Sequence, residues 1–283
     1  MAHDRADEEV AELVARYWSL GAHTQDLDGG RVVSCPVAPE HPLGTYLMRV
    51  SANTSTQVDR LLADASAVLA RPCERIFLSS ATPAVVEAYL MLLDWVPELQ
   101  LQLLFPSSTA VEAPTVPLRP IRDVDGDWSQ IEALFRIDHL EEDARAGQRA
   151  RSEADTHSAV LLRRRLVPAV EYFGVERAGT LVACVALWLT NGQAALIEDV
   201  FVRPEARGAG LATEMLRFAV AEARRRGAGP IVIGAEVDNT PKHLYARFGF
   251  QPIALVRSMV APSRSGVQGT GSIPSDWLPP RRA

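Results

Sequence analysis

The chain has 283 residues, is 47% hydrophobic and 23% charged, and carries a formal net charge of -6, enough material for one large or two ordinary globular domains. No apolar run reaches about eighteen residues and the N-terminus is polar and acidic, which argues against a membrane span or a signal peptide and predicts a cytoplasmic protein. Residues 1–105 hold 14 acidic and 7 basic side chains and residues 106–283 hold 21 and 22, so neither half has the basic excess that a nucleic-acid partner requires.

In chain order, the first half reads as a helix from about Ala6 to Leu20, two strand-like segments (RVVSCPV and GTYLMRV), and a helix at STQVDRLLADASAVLA whose cap is Ser55 or Thr56. A short strand at RIFLSS follows, then a helix at TPAVVEAYLMLLDW with Thr82 as its cap and Pro83 in its first turn, then a strand at LQLQLLF. Residues 106–117 combine three prolines with small polar residues and no hydrophobic period, and read as a linker between domains at 1–105 and 118–262. Beyond it, PLRPIRDV suggests a strand, helices fall between Trp128 and Leu166, and three strands form an antiparallel meander whose second connection is the hairpin signal Asn191-Gly192. A helix to Arg226, the strand PIVIGAEV, a helix near TPKHLYARF and the strand FQPIALVRSMV complete the domain. Residues 263–283 lack periodicity and read as a flexible tail with Trp277 and Leu278 as anchors.

The arginine triplets 163–165 and 224–226 read as solvated helix faces, with phosphate contact as the alternative. Cys35, Cys73 and Cys184 belong to no CxxC pair and read as free thiols, and His139, His157 and His243 lack metal spacing and read as surface residues, so no metal is expected.

The segment VRPEARGAGLA (202–212) passes from a strand into a helix whose apolar stripe is Ala212, Met215, Leu216, Ala219, Val220 and Ala223. A helix N-terminus exposes amides with no intrahelical partner, and its dipole favours anions. Gly208, Ala209 and Gly210 keep side chains away from that backbone, and Arg207 offers a forked cation beside it, which fits a phosphate; a tight turn with no ligand is the alternative. The turn follows a meander, Thr213 stands where a dinucleotide fingerprint needs a third small residue, and Lys242 is the only lysine with no Gly-Lys-Ser/Thr around it. These departures argue against NAD and ATP.

Arg207-Gly208-Ala209-Gly210-Leu211-Ala212, preceded by Val202 and Pro204, resembles the Arg/Gln-x-x-Gly-x-Gly/Ala signature of the GNAT superfamily of acyl-CoA-dependent N-acetyltransferases, and NTPKHLYARFGF (239–250) is similar to its second signature, with Asn239 to Tyr245 one residue shorter than in many members. The resemblance implies an α/β (α+β) fold with a mixed, mostly antiparallel sheet and flanking helices. It also implies acetyl-CoA as donor and a tandem chain whose first half is a degenerate copy without a second cofactor. It places the diphosphate on the amides from Gly208 to Thr213, the pantetheine along the free edge at Phe201 and Val202, and Asn239 beside the cofactor. It makes Tyr245 the general acid toward the thiolate and Glu198 the base or amine anchor. Glu198 and Asp199 alternate along their strand, so at most one is expected to face the cleft. A rim ion pair for Glu198 and a core role for Tyr245 remain the alternatives. The expected acceptor is a small-molecule amine, with a peptide amine, an amino-sugar thiol precursor, or a non-catalytic acyl-CoA sensor as other readings, in a monomer or homodimer.

Overall fold

A computed structural model describes residues 2–190 and 194–262, with side chains from Glu9 onward. The Asn191-Gly192 turn and the tail from residue 263, with Trp277 and Leu278, lie outside the described residues. The first half contains α1 (Ala2–Ser19), β1 (His23–Leu27), β2 (Gly30–Ser34), β3 (Thr45–Met48), α2 (Ser55–Leu69), β4 (Arg75–Leu78), α3 (Ala84–Leu92) and β5 (Val96–Phe105). The second contains β6 (Arg119–Pro120), α4 (Asp125–Arg145), α5 (Glu153–Arg164), β7 (Val170–Arg177), β8 (Thr180–Thr190), β9 (Ala194–Val202), α6 (Leu211–Arg225), β10 (Ile231–Glu236), α7 (Pro241–Phe248) and β11 (Gln251–Val260).

All strands join one sheet in the order β1-β2-β3-β4-β11-β5-β10-β9-β8-β7-β6. Two neighbouring pairs, β3 with β4 and β9 with β10, are parallel, and the rest are antiparallel. The halves exchange strands at the centre. β11, from the second half, lies between β4 and β5, while β5, from the first, lies between β11 and β10. Each half therefore completes the other's hydrogen-bond ladder, which a single half could not satisfy alone.

Alternation along each strand divides the apolar side chains between two faces. On one face α1, α4 and α5 share a core spanning both halves, in which Tyr17 packs against Trp188 at 5.8 Å between ring centroids. On the other face α6 and α7 cover the second half, with Met215, Leu216, Ala219, Val220 and Ala223 buried along one stripe, and α2 and α3 cover the first.

Local chemistry moves several expected details. Thr54, one residue before the expected caps, holds the start of α2 by accepting from the Gln57 amide at 3.2 Å. Pro83 sits at the N-cap of α3, and the Thr82 hydroxyl instead accepts from the Ser79 amide at 3.0 Å. PLRPIRDV yields a strand of only two residues, as Pro120 lacks the amide a longer ladder needs. The unexpected strand β1, HTQDL, has an exposed polar edge with no apolar alternation to reveal it.

Arg225 is exposed and pairs only with Glu222 of its own helix, as a solvated face would have it, but the other arginines of the two triplets are not free. Arg163 is buried against Asp199, Arg164 binds Asp123 and Asp125, and Arg165 donates to the Trp18 and Leu20 carbonyls of α1. Arg224 donates to the carbonyls of Pro106 and Ser107, and Arg226 bridges Glu171 and Glu222. These contacts fasten α5 and α6 to neighbouring segments.

Candidate active site

The parallel pair β9 and β10 runs in register from Ala195 opposite Ile231 to Ile197 opposite Ile233 and then separates, leaving Glu198 to Val202 without a partner on the β10 side. A backbone edge open in this way offers alternating N–H and C=O groups to an extended ligand. At the end of β9 the chain turns through a short 3-10 turn, Pro204–Ala206, and starts α6 at Leu211.

Gly208 and Gly210 both have φ +76, a left-handed conformation in which a side chain is strained, and an added Cβ at either would meet nothing within 4 Å. These glycines thus serve backbone direction and open space. No side chain caps α6, and the amides from Gly208 through Ala209, Gly210, Leu211 and Ala212 to Thr213 donate to no protein group among the described residues. Six unpaired donors at the positive end of a fifteen-residue helix suit an anion with several oxygens.

Arg207 behaves differently from its expected place beside a phosphate. Its Nε donates to the Val202 carbonyl at 2.9 Å and its fork closes on Glu141 of α4 at 3.0 and 2.5 Å, with the guanidinium 5.8 Å from the Phe201 ring. One turn further along α4, Arg145 donates to Asn239 Oδ1 at 3.0 Å. Glu141 and Arg145 thereby tie one face of α4 to both lips of the gap.

Opposite Val185, β9 inserts an extra residue: Ala186 pairs with Glu198 and Cys184 with Phe201. Asp199 stands in this bulge at φ +51. The expectation that Glu198 and Asp199 face opposite sides is corrected here, because the bulge breaks the two-residue period and turns both toward the α1/α4/α5 face. Asp199 accepts from Arg163 Nε at 2.9 and 3.0 Å and from the Tyr172 hydroxyl at 2.6 Å. Arg163 is itself stacked 4.4 Å over Phe135 and 5.5 Å over Trp18. Removing one member of such a buried pair costs about 3–5 kcal/mol.

Glu198, by contrast, forms no ion pair: its Oε1 is buried and without a hydrogen-bond partner, and Arg163, committed to Asp199, acts on it only from a distance. Burial, with Asp199 adding repulsion, pushes its carboxyl up to about 8. Across the gap, Tyr245 of α7 is 5% exposed, and its hydroxyl makes no hydrogen bond. Burial first, then Glu198, Asp199 and Asp138, push this phenol above its ordinary range, so the hydroxyl stands within electrostatic reach of the same carboxylates. Asp138 of α4 is raised to about 7 by burial and by Glu142.

No motif marks Asp138, Arg163 or Tyr172, and an arginine triplet such as the one holding Arg163 has the sequence pattern of a solvated face. His139 is also corrected: it is buried, with Nδ1 3.0 Å from Thr156 Oγ1, whereas His157 and His243 are exposed. All three cysteines are free and buried. Among the described residues no group of His, Cys, Asp and Glu is arranged to hold a metal ion, and no helix is long and apolar enough to cross a membrane.

This geometry can be set beside known proteins. Residues 128–250 match the acetyltransferase (GNAT) family. Those residues, less than half of the chain, are what the similarity to a GNAT acetyltransferase domain covers. Enzymes of the GNAT family transfer acetyl groups from acetyl-CoA to amine acceptors. A Bacillus subtilis protein provisionally named a ribosomal protein bS18-alanine N-acetyltransferase is 30% identical over 86 residues, a match that spans 30% of this chain and about half, 56%, of that protein. A GCN5-related N-acetyltransferase from Kribbella flavida superimposes with a TM-score of 0.60 at 16% identity, covering 91% of this chain and 96% of its own. A tandem GNAT protein from the clavulanic acid biosynthesis pathway gives 0.52 at 16% identity, over 83% and 79%. These GNAT structures share the fold, including its tandem form.

Proposed function

We propose that the protein is an N-acetyltransferase that moves an acetyl group from acetyl-CoA to a primary amine of a small molecule by direct attack. The observation that carries this reading is the row of unpaired amides from Gly208 to Thr213 at the mouth of the β9/β10 gap. Those amides fit the coenzyme diphosphate, the open edge at Phe201 and Val202 fits the pantetheine arm, and Asn239 lines the opposite lip. The bound donor supplies an activated acyl thioester.

The chain's own residues would then handle protons. An alkyl ammonium, with a pKa near 10.4, must lose one before it attacks. Glu198 is the group placed to take it, because Asp199 is committed to Arg163 and Tyr172 while Glu198 has no such partner. The Tyr245 hydroxyl, free of other bonds, donates a proton to the departing sulfur. The Val202 amide polarises the carbonyl. Protein N-termini are the second reading, favoured by the named activity of the Bacillus relative.

Calorimetric titration of coenzyme A, followed by an assay of acetyl-CoA consumption with small amines and an Ala-terminated peptide, tests the proposal. Saturable binding and turnover of an amine are expected. Absence of coenzyme A binding to folded protein overturns it, and turnover of the peptide alone selects the second reading.

A further inference from the structure

The acceptor side of the gap has a polar floor that neither sequence motif touches, and much of it comes from the first half. Along β5, Leu101, Leu103 and Phe105 pack toward α6 and α7, so Glu98, Gln100 and Gln102 point to the opposite face, where α4 lies. Gln102 pairs with Gly234 of β10, and Gln100 pairs with Glu236. Gly234 follows Ile233, the last residue in register with β9, and so stands beside Glu198 where the strands begin to part. Gln102, Gly234 and Glu198 thus form one row across three strands, with Gln100 and Glu236 in the next row toward the mouth.

The absence of a side chain at Gly234 gives this row its shape: an added Cβ would lie 2.9 Å from Gln100 Nε2 and 3.1 Å from Gln102 Nε2. The two amides lie over the glycine, joined by a 2.9 Å bond from Gln102 Nε2 to Gln100 Oε1. Gln102 is 0% exposed and its Oε1 has no partner. A buried amide oxygen without a donor is costly, so this one, in the same row as the equally unpartnered Glu198 Oε1 with only the glycine strand between them, marks a place where a ligand supplies the missing N–H groups.

The charges around this row do not balance. Arg75 binds Glu98, Arg151 binds Glu142 and Asp143, and Arg163 binds Asp199. Asp138, Glu198 and Glu236 form no ion pair among the described residues; Arg163 acts on the first two, and Arg145 and Arg151 on Glu236, only from a distance. Partial desolvation, with Glu142 and Glu98 nearby, raises the Glu236 carboxyl and outweighs the opposing pull of Arg145 and Arg151, neither of which pairs with it.

Resting on the acetyltransferase reading for its reactive end, we infer that the acceptor is a compact diamine, one nitrogen held at Glu198 and Gln102 for acetylation and a second ammonium held at Glu236. The Gly234 and Glu236 positions are two residues apart on one strand, about 7 Å, a separation that a four-carbon diamine bridges. The first half would then be part of the acceptor site through the strand it contributes.

Calorimetric titration of 1,4-diaminobutane and of butylamine into the full chain with coenzyme A present reads this directly. The diamine is expected to bind roughly 30-fold more tightly. Q102L and E236Q should each reduce that preference about tenfold, with thermal melting confirming folded variants. Equal affinity for the two amines, lack of diamine binding, or a preference that survives both substitutions overturns the inference. Acetyl transfer is measured on the same samples. Diamine binding without transfer keeps the ligand assignment and removes the activity, whereas transfer to both amines with no preference keeps the activity and removes the assignment.

Discussion

The molecule contains two parallel strand pairs, each leading into a helix on the same face of one sheet, and one is closed where the other is open. In the first half, β3 and β4 share a single parallel pair, Leu47 with Ile76, and α2 follows β3. The approach to α2 consumes its own polar groups: Thr54 caps the Gln57 amide, Gln57 Oε1 accepts from the Asn53 amide at 2.7 Å, and the Ser51 amide donates to the Gly29 carbonyl at 2.8 Å. In the second half, Gly208-Ala209-Gly210 leads into α6 with no cap and six unbonded amides. A shared topology therefore leaves a row of helix amides open only where the sequence withholds a capping side chain.

Giving α6 a cap like that of α2 should break the comparison most strongly. In G210D a carboxylate would compete for the α6 amides and repel a diphosphate, and Asp tolerates a positive φ better than most residues. Coenzyme A affinity is expected to fall at least about 100-fold by calorimetry, with the fold retained in circular dichroism. Unchanged affinity would place the diphosphate elsewhere. Next in size is Y245F, expected to lower kcat by roughly 100-fold while coenzyme A affinity stays within about threefold, since the phenol acts on the leaving sulfur and not on the diphosphate.

The parts of this site that were legible in the sequence are local. Small residues at 208–210, the α6 stripe from Ala212 to Ala223, and Tyr245 within its short helix each follow from neighbours a few positions away. What stayed hidden depends on pairing between distant segments. The bulge at Asp199 arises from the register of β9 against β8, and period-two reasoning could only place Glu198 and Asp199 on opposite sides. The insertion of β5 beside β10 joins residues about 130 positions apart, so Gln102 offered no sign of its place near Glu198. Arg163 shows the same limit: a triplet looks solvated until α1 and α4 are seen to enclose it.

Glu198 tests the open half through protons. Its carboxyl titrates near 8 in the folded chain, above the ordinary 4.5, so activity that needs the carboxylate should rise with pH through an apparent pKa near 8. E198Q should lose that ascending limb and about 10- to 100-fold in kcat/KM. The sign for stability is the reverse. Between 4.5 and 8 the folded state binds more protons than the unfolded state, so this group makes stability fall as pH rises through that window. E198Q is therefore expected to melt a few degrees higher than the parent at pH 8 and alike at pH 4. A variant no more stable at pH 8 would mean that the buried carboxylate has a partner after all.

The smallest effect belongs to the closed half and sharpens the contrast. T54A removes the oxygen that accepts from the Gln57 amide and leaves the start of α2 with one more free donor, as at α6. Denaturant unfolding should show a loss of about 1 kcal/mol, because no ligand replaces the lost bond. Coenzyme A stoichiometry should stay at one, since the β3-to-α2 segment has neither the paired glycines nor the six free amides of residues 208–213. A second equivalent bound by T54A would show instead that a single capping side chain is all that separates the two halves.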